Sequence, residues 1–217
     1  MQINRLLSFI MEIKKTKYLP LGDSYTIGEG VASEESFPTQ VTQLLNNSGH
    51  TTELLGNPAR TGWTTKDLIT RELPVFDQLK PDFSTMLIGV NDWVQGFPVS
   101  FFKENLIYIV NHVQKGLSDK RNLVLLTIPD FSLTPEGSKY GGGRNITAGL
   151  QEFNQQIKLV AEERALPVVD IFMLSLRVRN DISLVAPDGL HPSGRAYTAW
   201  SADIFAAVKR LPIFEGK

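Results

Sequence analysis

Ser24 stands in Gly22-Asp23-Ser24-Tyr25, and His191 follows Asp188 by three residues in Asp188-Gly189-Leu190-His191. A serine hydroxyl is a weak nucleophile at neutral pH. It needs a base within hydrogen-bond reach and a third group to orient that base. Histidine and aspartate fill those two places, and their i, i+3 spacing lets one turn present both side chains to the same side. In this reading Asp188 accepts a hydrogen bond from the Nδ1–H of His191 and leaves Nε2 facing Ser24. Between the two ends lie Gly62, in Arg60-Thr61-Gly62-Trp63, and Asn91, in Gly89-Val90-Asn91-Asp92. A glycine N–H and an asparagine amide can donate to the oxyanion of a tetrahedral intermediate. The chemistry these groups would share is nucleophilic acyl transfer.

Each block taken alone also reads as ordinary loop. Asp23 is a turn or capping residue, Gly62 a turn glycine, and Asn91-Asp92 a turn or helix cap after a strand. Asp92 either positions the Asn91 loop or caps the following helix. Asp188–Pro192 is a loop before a helix whose start Pro192 favours. The signal is the joint occurrence of four blocks, in this order, after apolar runs. His50, in a polar turn, and His112, on an amphipathic segment, rival His191 by count only.

The elements that must position these residues follow from periodicity. Apolar, strand-like runs cover residues 17–21, 52–55, 83–88, 122–128 and 167–171. Several are continuous, as strands buried on both faces are. Helical patterns cover 38–47, 64–72, 99–117, 146–165 and 192–208. This alternation predicts a three-layer α/β/α fold around a parallel sheet of about five strands. In such sheets ligands bind beyond the carboxyl ends of the strands, where Ser24, Asn91 and the Pro129 turn all fall. Pro20 is unusual for a central strand, because it offers no ladder donor. Its presence means that strand pairing loosens there or that the strand ends early. The segment 129–145, with Gly137 and Gly141-Gly142-Gly143, is either a mobile lid or an ordered surface excursion. It does not match a phosphate-cradling loop.

Bulk properties exclude several other classes. The chain has 217 residues, 42% of them apolar, and a formal net charge of −1 from 22 basic and 23 acidic side chains. That length suits one catalytic domain over 17–217, preceded by an N-terminal extension over 1–16. Nothing in the charge points to nucleic acid. The absence of cysteine removes disulfides, thiolate metal sites and cysteine nucleophiles. No run of about 18 apolar residues predicts a membrane span. The apolar stretch 6–11 is too short for a signal peptide and lacks a small-residue cleavage site, so a cytoplasmic location is expected. Met11 is an alternative natural start.

With these residues in view, the chain resembles the SGNH hydrolases, also called GDSL esterases and lipases. The opening block GDSYTIGEG, the block GVND and the closing block DGLHPS are similar to that family's motifs, and the likeness spans Leu21 to Ser193. The resemblance implies a flavodoxin-like α/β/α sandwich. It implies Ser24 as nucleophile, His191 as base and Asp188 as its partner. It implies an oxyanion hole from the Ser24 and Gly62 N–H groups and the Asn91 amide. No Gly-x-Ser-x-Gly elbow surrounds Ser24, unlike ordinary α/β-hydrolases. The implied activity is hydrolysis of small carboxylic esters of short to medium acyl chain through an acyl-enzyme, with no metal or organic cofactor. Carbohydrate O-deacetylation, lysophospholipase or thioesterase activity, and a non-catalytic binding role are the alternatives. Trp63, Trp93 and Phe131 are candidate pocket walls, with the core as the competing place for their rings.

Overall fold

The computed structural model describes residues 15–215. The apolar stretch 6–11 and Met11 lie outside the described residues. Thr16, at the border of the expected extension, already pairs with Thr52 at the start of the sheet.

Five parallel strands form the sheet: β1 (Thr16–Gly22), β2 (Thr52–Leu54), β3 (Phe83–Leu87), β4 (Leu123–Leu126) and β5 (Val168–Val169). Their order is β2-β1-β3-β4-β5, so the direction of winding reverses between β1 and β3. Every residue of β3 and β4 is buried, because helices cover both faces. The order and the parallel sense are those of a flavodoxin-like doubly wound sheet.

The chain between the strands forms α1 (Ser24–Ile27), α2 (Phe37–Asn47), α3 (Thr65–Asp67), α4 (Leu73–Leu79), α5 (Val90–Val94), α6 (Val99–Gly116), α7 (Ile146–Glu163), α8 (Ile171–Ser175) and α9 (Gly194–Val208). Helices α2 and α9 pack together on one face, and α6 packs with α4 and α7 on the other. Phe102, Leu106, Ile109, Val110 and Val113 form the buried stripe of α6 at helical spacing.

Three differences from the sequence reading have physical causes. The helix expected over 64–72 is a short α-turn followed by a π-helical turn over Leu68–Glu72, which runs on into α4. Pro74 lacks an N–H and its ring crowds the carbonyl four residues back, so the ladder widens just before it. The last helix starts at Gly194 rather than Pro192. Pro192 is held in a bridge to Val185, and the Ser193 hydroxyl caps the Ala196 N–H instead. The strand expected over 167–171 shortens to two residues, because Asp170 caps α8 through the Met173 N–H.

Pro20 fits for a reason that topology supplies. It pairs with Thr85 of β3, while β2 pairs with β1 only as far as Tyr18. Tyr18 turns its carbonyl to the β2 side, where it accepts the Leu55 N–H. Two residues on, the nitrogen of Pro20 faces the same side, past the end of β2, where no ladder donor is needed.

Candidate active site

The end of β1 builds the position of Ser24. Gly22 closes the strand against Leu87 of β3, so tightly that a Cβ there would collide with the Leu87 carbonyl oxygen and the Thr26 hydroxyl. Asp23 caps α1 through the Tyr25 N–H at 3.1 Å, and Ser24 is the first helical residue. The Tyr197 hydroxyl of α9 donates to the Tyr25 carbonyl at 2.9 Å and ties this turn to the C-terminal helix.

The same helix is preceded by the loop that carries His191. The loop before α9 folds back on itself, with the Ala186 N–H donating to the His191 carbonyl at 2.8 Å. Inside it, the Asp188 carboxylate accepts the Leu190 and His191 N–H groups at 2.9 and 3.0 Å and lies 2.7 Å from His191 Nδ1. Burial pushes the Asp188 carboxyl up, but the Leu190 N–H, the imidazole and the His191 N–H outweigh it and hold the group below its usual range. The imidazole is nearly buried and meets the Tyr25 ring edge to face at 5.7 Å.

The remaining polar groups come from the loops after β2 and β3. Asn91 Nδ2 donates to the Trp63 carbonyl at 2.9 Å, which leaves its second N–H for the cleft. Gly62 adopts φ 81°, a backbone that favours glycine, and open space surrounds the position of a Cβ. The Ser24 and Gly62 N–H groups donate to no acceptor among the described residues. Ser24, Gly62, Asn91 and His191 line one cleft of about 170 Å³, whose apolar walls include Phe131 and Tyr140. No hydrogen bond joins the Ser24 hydroxyl to the imidazole among the described residues; such bonds often tighten only around bound substrate.

Other singled-out residues stand elsewhere. Trp93 is buried against Phe131, with the Arg144 guanidinium over its ring, and does not line the cleft. Trp63 lies beside Arg71 and does not line it either. His50 packs on Phe214, and His112 meets Asp77 at 2.8 Å. Asp92 caps no following helix; its carboxylate binds Thr65 in the loop beyond Gly62. The segment 129–145 is fastened at its middle and near its C-terminal end. Glu136 donates its N–H to the Gly189 carbonyl, and Arg144 donates to the carbonyls of Trp93 and Val94 at 2.6 and 2.8 Å. Among the described residues, no three His, Cys, Asp or Glu side chains converge as a metal site requires, and no helix is long and apolar enough to cross a membrane.

Sequence reasoning missed a buried acid behind the Ser24 turn. Glu72, fully buried at the end of the π-turn, accepts the Gly22 N–H at 2.9 Å. Its Oε1 and the Oδ2 of Asp23 are buried without a hydrogen-bond partner among the described residues. Burial pushes the Glu72 carboxyl well above its usual range, and the charge of Asp23 adds to the rise. Burial also pushes Asp23 up to about 8, against the Tyr25 N–H that favours its charge. Nothing in the sequence marked Glu72, because a glutamate at a helix end is ordinarily a solvated one.

A hydroxyl, a carboxylate-backed imidazole and unclaimed N–H donors around one cleft, at the switch point of a doubly wound sheet, are the equipment of an acyl-transfer hydrolase. The chain belongs to the GDSL-like lipase/acylhydrolase family, whose profile matches residues 21–199, and it is a carboxylic ester hydrolase. An arylesterase of Vibrio mimicus is 25% identical over 190 residues, which cover 88% of this chain and 86% of that one. Among solved structures, a lipase/acylhydrolase from Enterococcus faecalis shares the fold at a TM-score of 0.74 and 23% identity, covering 90% of this chain and 97% of its own. The psychrotrophic esterase EstA from Pseudoalteromonas sp. superposes at 0.69 and 21% identity, covering 90% and 98%. An acetylxylan esterase from Geobacillus stearothermophilus does so at 0.71 and 19%, covering 89% and 94%.

Proposed function

We propose that the protein is a serine esterase acting on small carboxylic esters of short to medium acyl chain, with Ser24 as nucleophile, His191 as general base and Asp188 as its orienting acid. One observation carries the reading: Ser24, Gly62, Asn91 and His191 share the walls of one cleft, and Asp188 stands 2.7 Å behind the imidazole. Ser24 Oγ attacks the ester carbonyl as His191 Nε2 takes its proton. The carbonyl oxygen becomes an oxyanion between the Ser24 N–H, the Gly62 N–H and the Asn91 amide. Each such donor contributes roughly 3–4 kcal/mol to the rate where it has been removed in other enzymes. His191 then returns the proton to the leaving alcohol. Water repeats the sequence on the acyl-enzyme, and the acid leaves. Residues 17–217 act as one catalytic domain in this reading, since its groups come from β1 at one end and the loop before α9 at the other.

The test is hydrolysis of p-nitrophenyl esters, acetate through palmitate, by wild type and Ser24→Ala. Loss of turnover in the variant with a wild-type melting curve is the expected result, and the chain-length optimum sizes the acyl site. Equal rates in both proteins refute Ser24 as nucleophile. The arylesterase relative supports including aryl esters in the series.

A further inference from the structure

A second hollow lies beside the cleft, on the far side of Phe131 and Leu190. It shares Tyr25, Phe131, Leu190 and His191 with the cleft but touches neither Ser24, Gly62 nor Asn91. Its remaining walls come mainly from the loop after β4, from α8 and the chain after it with Leu174 and Val178, and from α9 with Ala199 and Trp200. Apart from Tyr25 and His191, which it shares with the cleft, the polar residues buried in its wall are already engaged. Ser175 Oγ donates to the Phe172 carbonyl and accepts the Asp130 N–H, Asp130 accepts from Ser132 and Thr147, and Thr134 donates to the Phe131 carbonyl. Arg177 is exposed at the rim. Beyond those two shared residues an occupant would meet hydrocarbon and ring surface, so the part of it that fills the hollow must be apolar.

The chemistry decides which half of an ester goes there. During acylation the C–O bond to the alcohol breaks, the acyl carbon stays on Ser24 Oγ, and the carbonyl oxygen stays against Gly62 and Asn91. The proton taken from Ser24 passes through His191 to the departing alcohol oxygen. The alcohol therefore projects toward His191, the one member of the machinery that the second hollow contains. We propose that this hollow is the leaving-group site and that it selects esters of compact apolar alcohols, such as phenols or short branched alkanols. The inference rests on the serine-esterase reading above. The volume of about 60 Å³, against roughly 10–15 Å³ for one water on the same measure, suits a ring or a branched alkyl group and not a long chain.

Two variants narrow the hollow from different elements, at positions outside the catalytic machinery: Ala199→Phe from α9 and Val178→Trp from the chain after α8. Substrates are methyl acetate and phenyl acetate, which vary the alcohol, and methyl acetate through methyl hexanoate, which vary the acyl group. Relative to wild type, kcat/KM for phenyl acetate should fall about tenfold or more in each variant, the scale on which a pocket discriminates apolar groups. All methyl esters should stay within about twofold. A fall for methyl hexanoate with phenyl acetate spared assigns the hollow to the acyl chain and overturns the proposal, as does no change in either series. Phenol inhibition of the wild type decides the matter even if the variants misfold: competitive inhibition stronger than that of hexanoate supports the site, and its absence refutes it. Labelling by a fluorophosphonate, lost in Ser24→Ala, separates failure of this assignment from failure of the serine reading.

Discussion

The carboxylate of Asp92 accepts the backbone N–H of Thr65 at 2.9 Å and the Thr65 hydroxyl at 2.5 Å, and both residues are fully buried. Asn105 of α6 donates to the same hydroxyl at 2.9 Å. Thr65 follows Gly62 by three residues, and Asp92 follows Asn91 by one. The loops that hold two of the proposed oxyanion donors are thus joined below the cleft by charge-assisted bonds, and joined again above it by Asn91 to Trp63. Their separation is set by this pair rather than by either loop alone.

Asp92→Ala removes that spacer. It strands the Thr65 N–H in a buried place, which costs about 1–3 kcal/mol of stability. It also lets the Gly62 and Asn91 loops move apart, and a shift on the ångström scale lowers turnover by roughly 10²-fold. The expected result is a drop in kcat with little change in KM on p-nitrophenyl acetate, together with a lower melting temperature. A lower melting temperature with wild-type kcat would make the pair a purely structural tie.

Asp188→Asn tests the orienting role. The carboxylate accepts two backbone N–H groups through Oδ1, and an asparagine can keep those bonds through its own oxygen. Its amide then faces His191 Nδ1 with a donor, so the imidazole must switch tautomer and turn its proton toward Ser24. The turn stays folded while turnover falls by about 10²–10⁴-fold, the upper figure being that of the equivalent change in the chymotrypsin-type triad. Circular dichroism and kcat measured together check this, and an undiminished kcat would remove Asp188 from the triad.

Glu72 makes a different demand. Its carboxyl accepts the Gly22 N–H and sits beside a second buried acid; burial outweighs that N–H and the charge of Arg60, and the net upward shift favours the protonated form. A glutamine offers the same acceptor and a donor in place of the acid proton. Glu72→Gln should therefore keep kcat within about threefold and lose under 1 kcal/mol of stability. Glu72→Leu leaves the Gly22 N–H without a partner two residues before Ser24, costs about 1–3 kcal/mol and lowers kcat. If glutamine proves as harmful as leucine, the group acts as a carboxylate and the protonated assignment is wrong.

How far the sequence reveals such features depends on their range along the chain. Strand ends and motif blocks are local. Residues 17–21 and 83–88 announce β1 and β3 by continuous apolar character, and the Asp188–His191 spacing announces the turn that joins them. The pairs Asp92 with Thr65 and Glu72 with Gly22 span 27 and 50 residues, and no periodicity encodes a contact of that reach. Trp93 illustrates the opposite error. Its place two residues after Asn91 marks it as a pocket wall, yet α5 turns its ring inward against Gly149, where only a glycine leaves room for it. The hollow behind His191 is assembled from the loop after β4, α8 and α9, and becomes visible only when the sheet brings them together.

Asp23 gives the fold a pH dependence of definite sign. In the folded chain its carboxyl is raised to about 8, mainly by burial, whereas in the unfolded chain it titrates near the model-peptide value of about 3.9. Between those values the folded state holds a proton that the unfolded state has lost, so folding stability is fully present below about pH 4 and declines as pH rises toward 8. The slope for one such proton is at most about 1.4 kcal/mol per pH unit. Glu72, raised for the same reason, acts in the same direction. Asp188, held below its usual range, acts oppositely and only in acid, where falling pH removes its contribution. Asp23→Asn keeps the acceptor that caps Tyr25 and abolishes the titration, so it should flatten the decline between pH 5 and pH 8 and be more stable than wild type at pH 9. Melting temperatures of both proteins across that range decide it: parallel curves would show that Asp23 is ionised in the folded protein and that its charge is met by a partner.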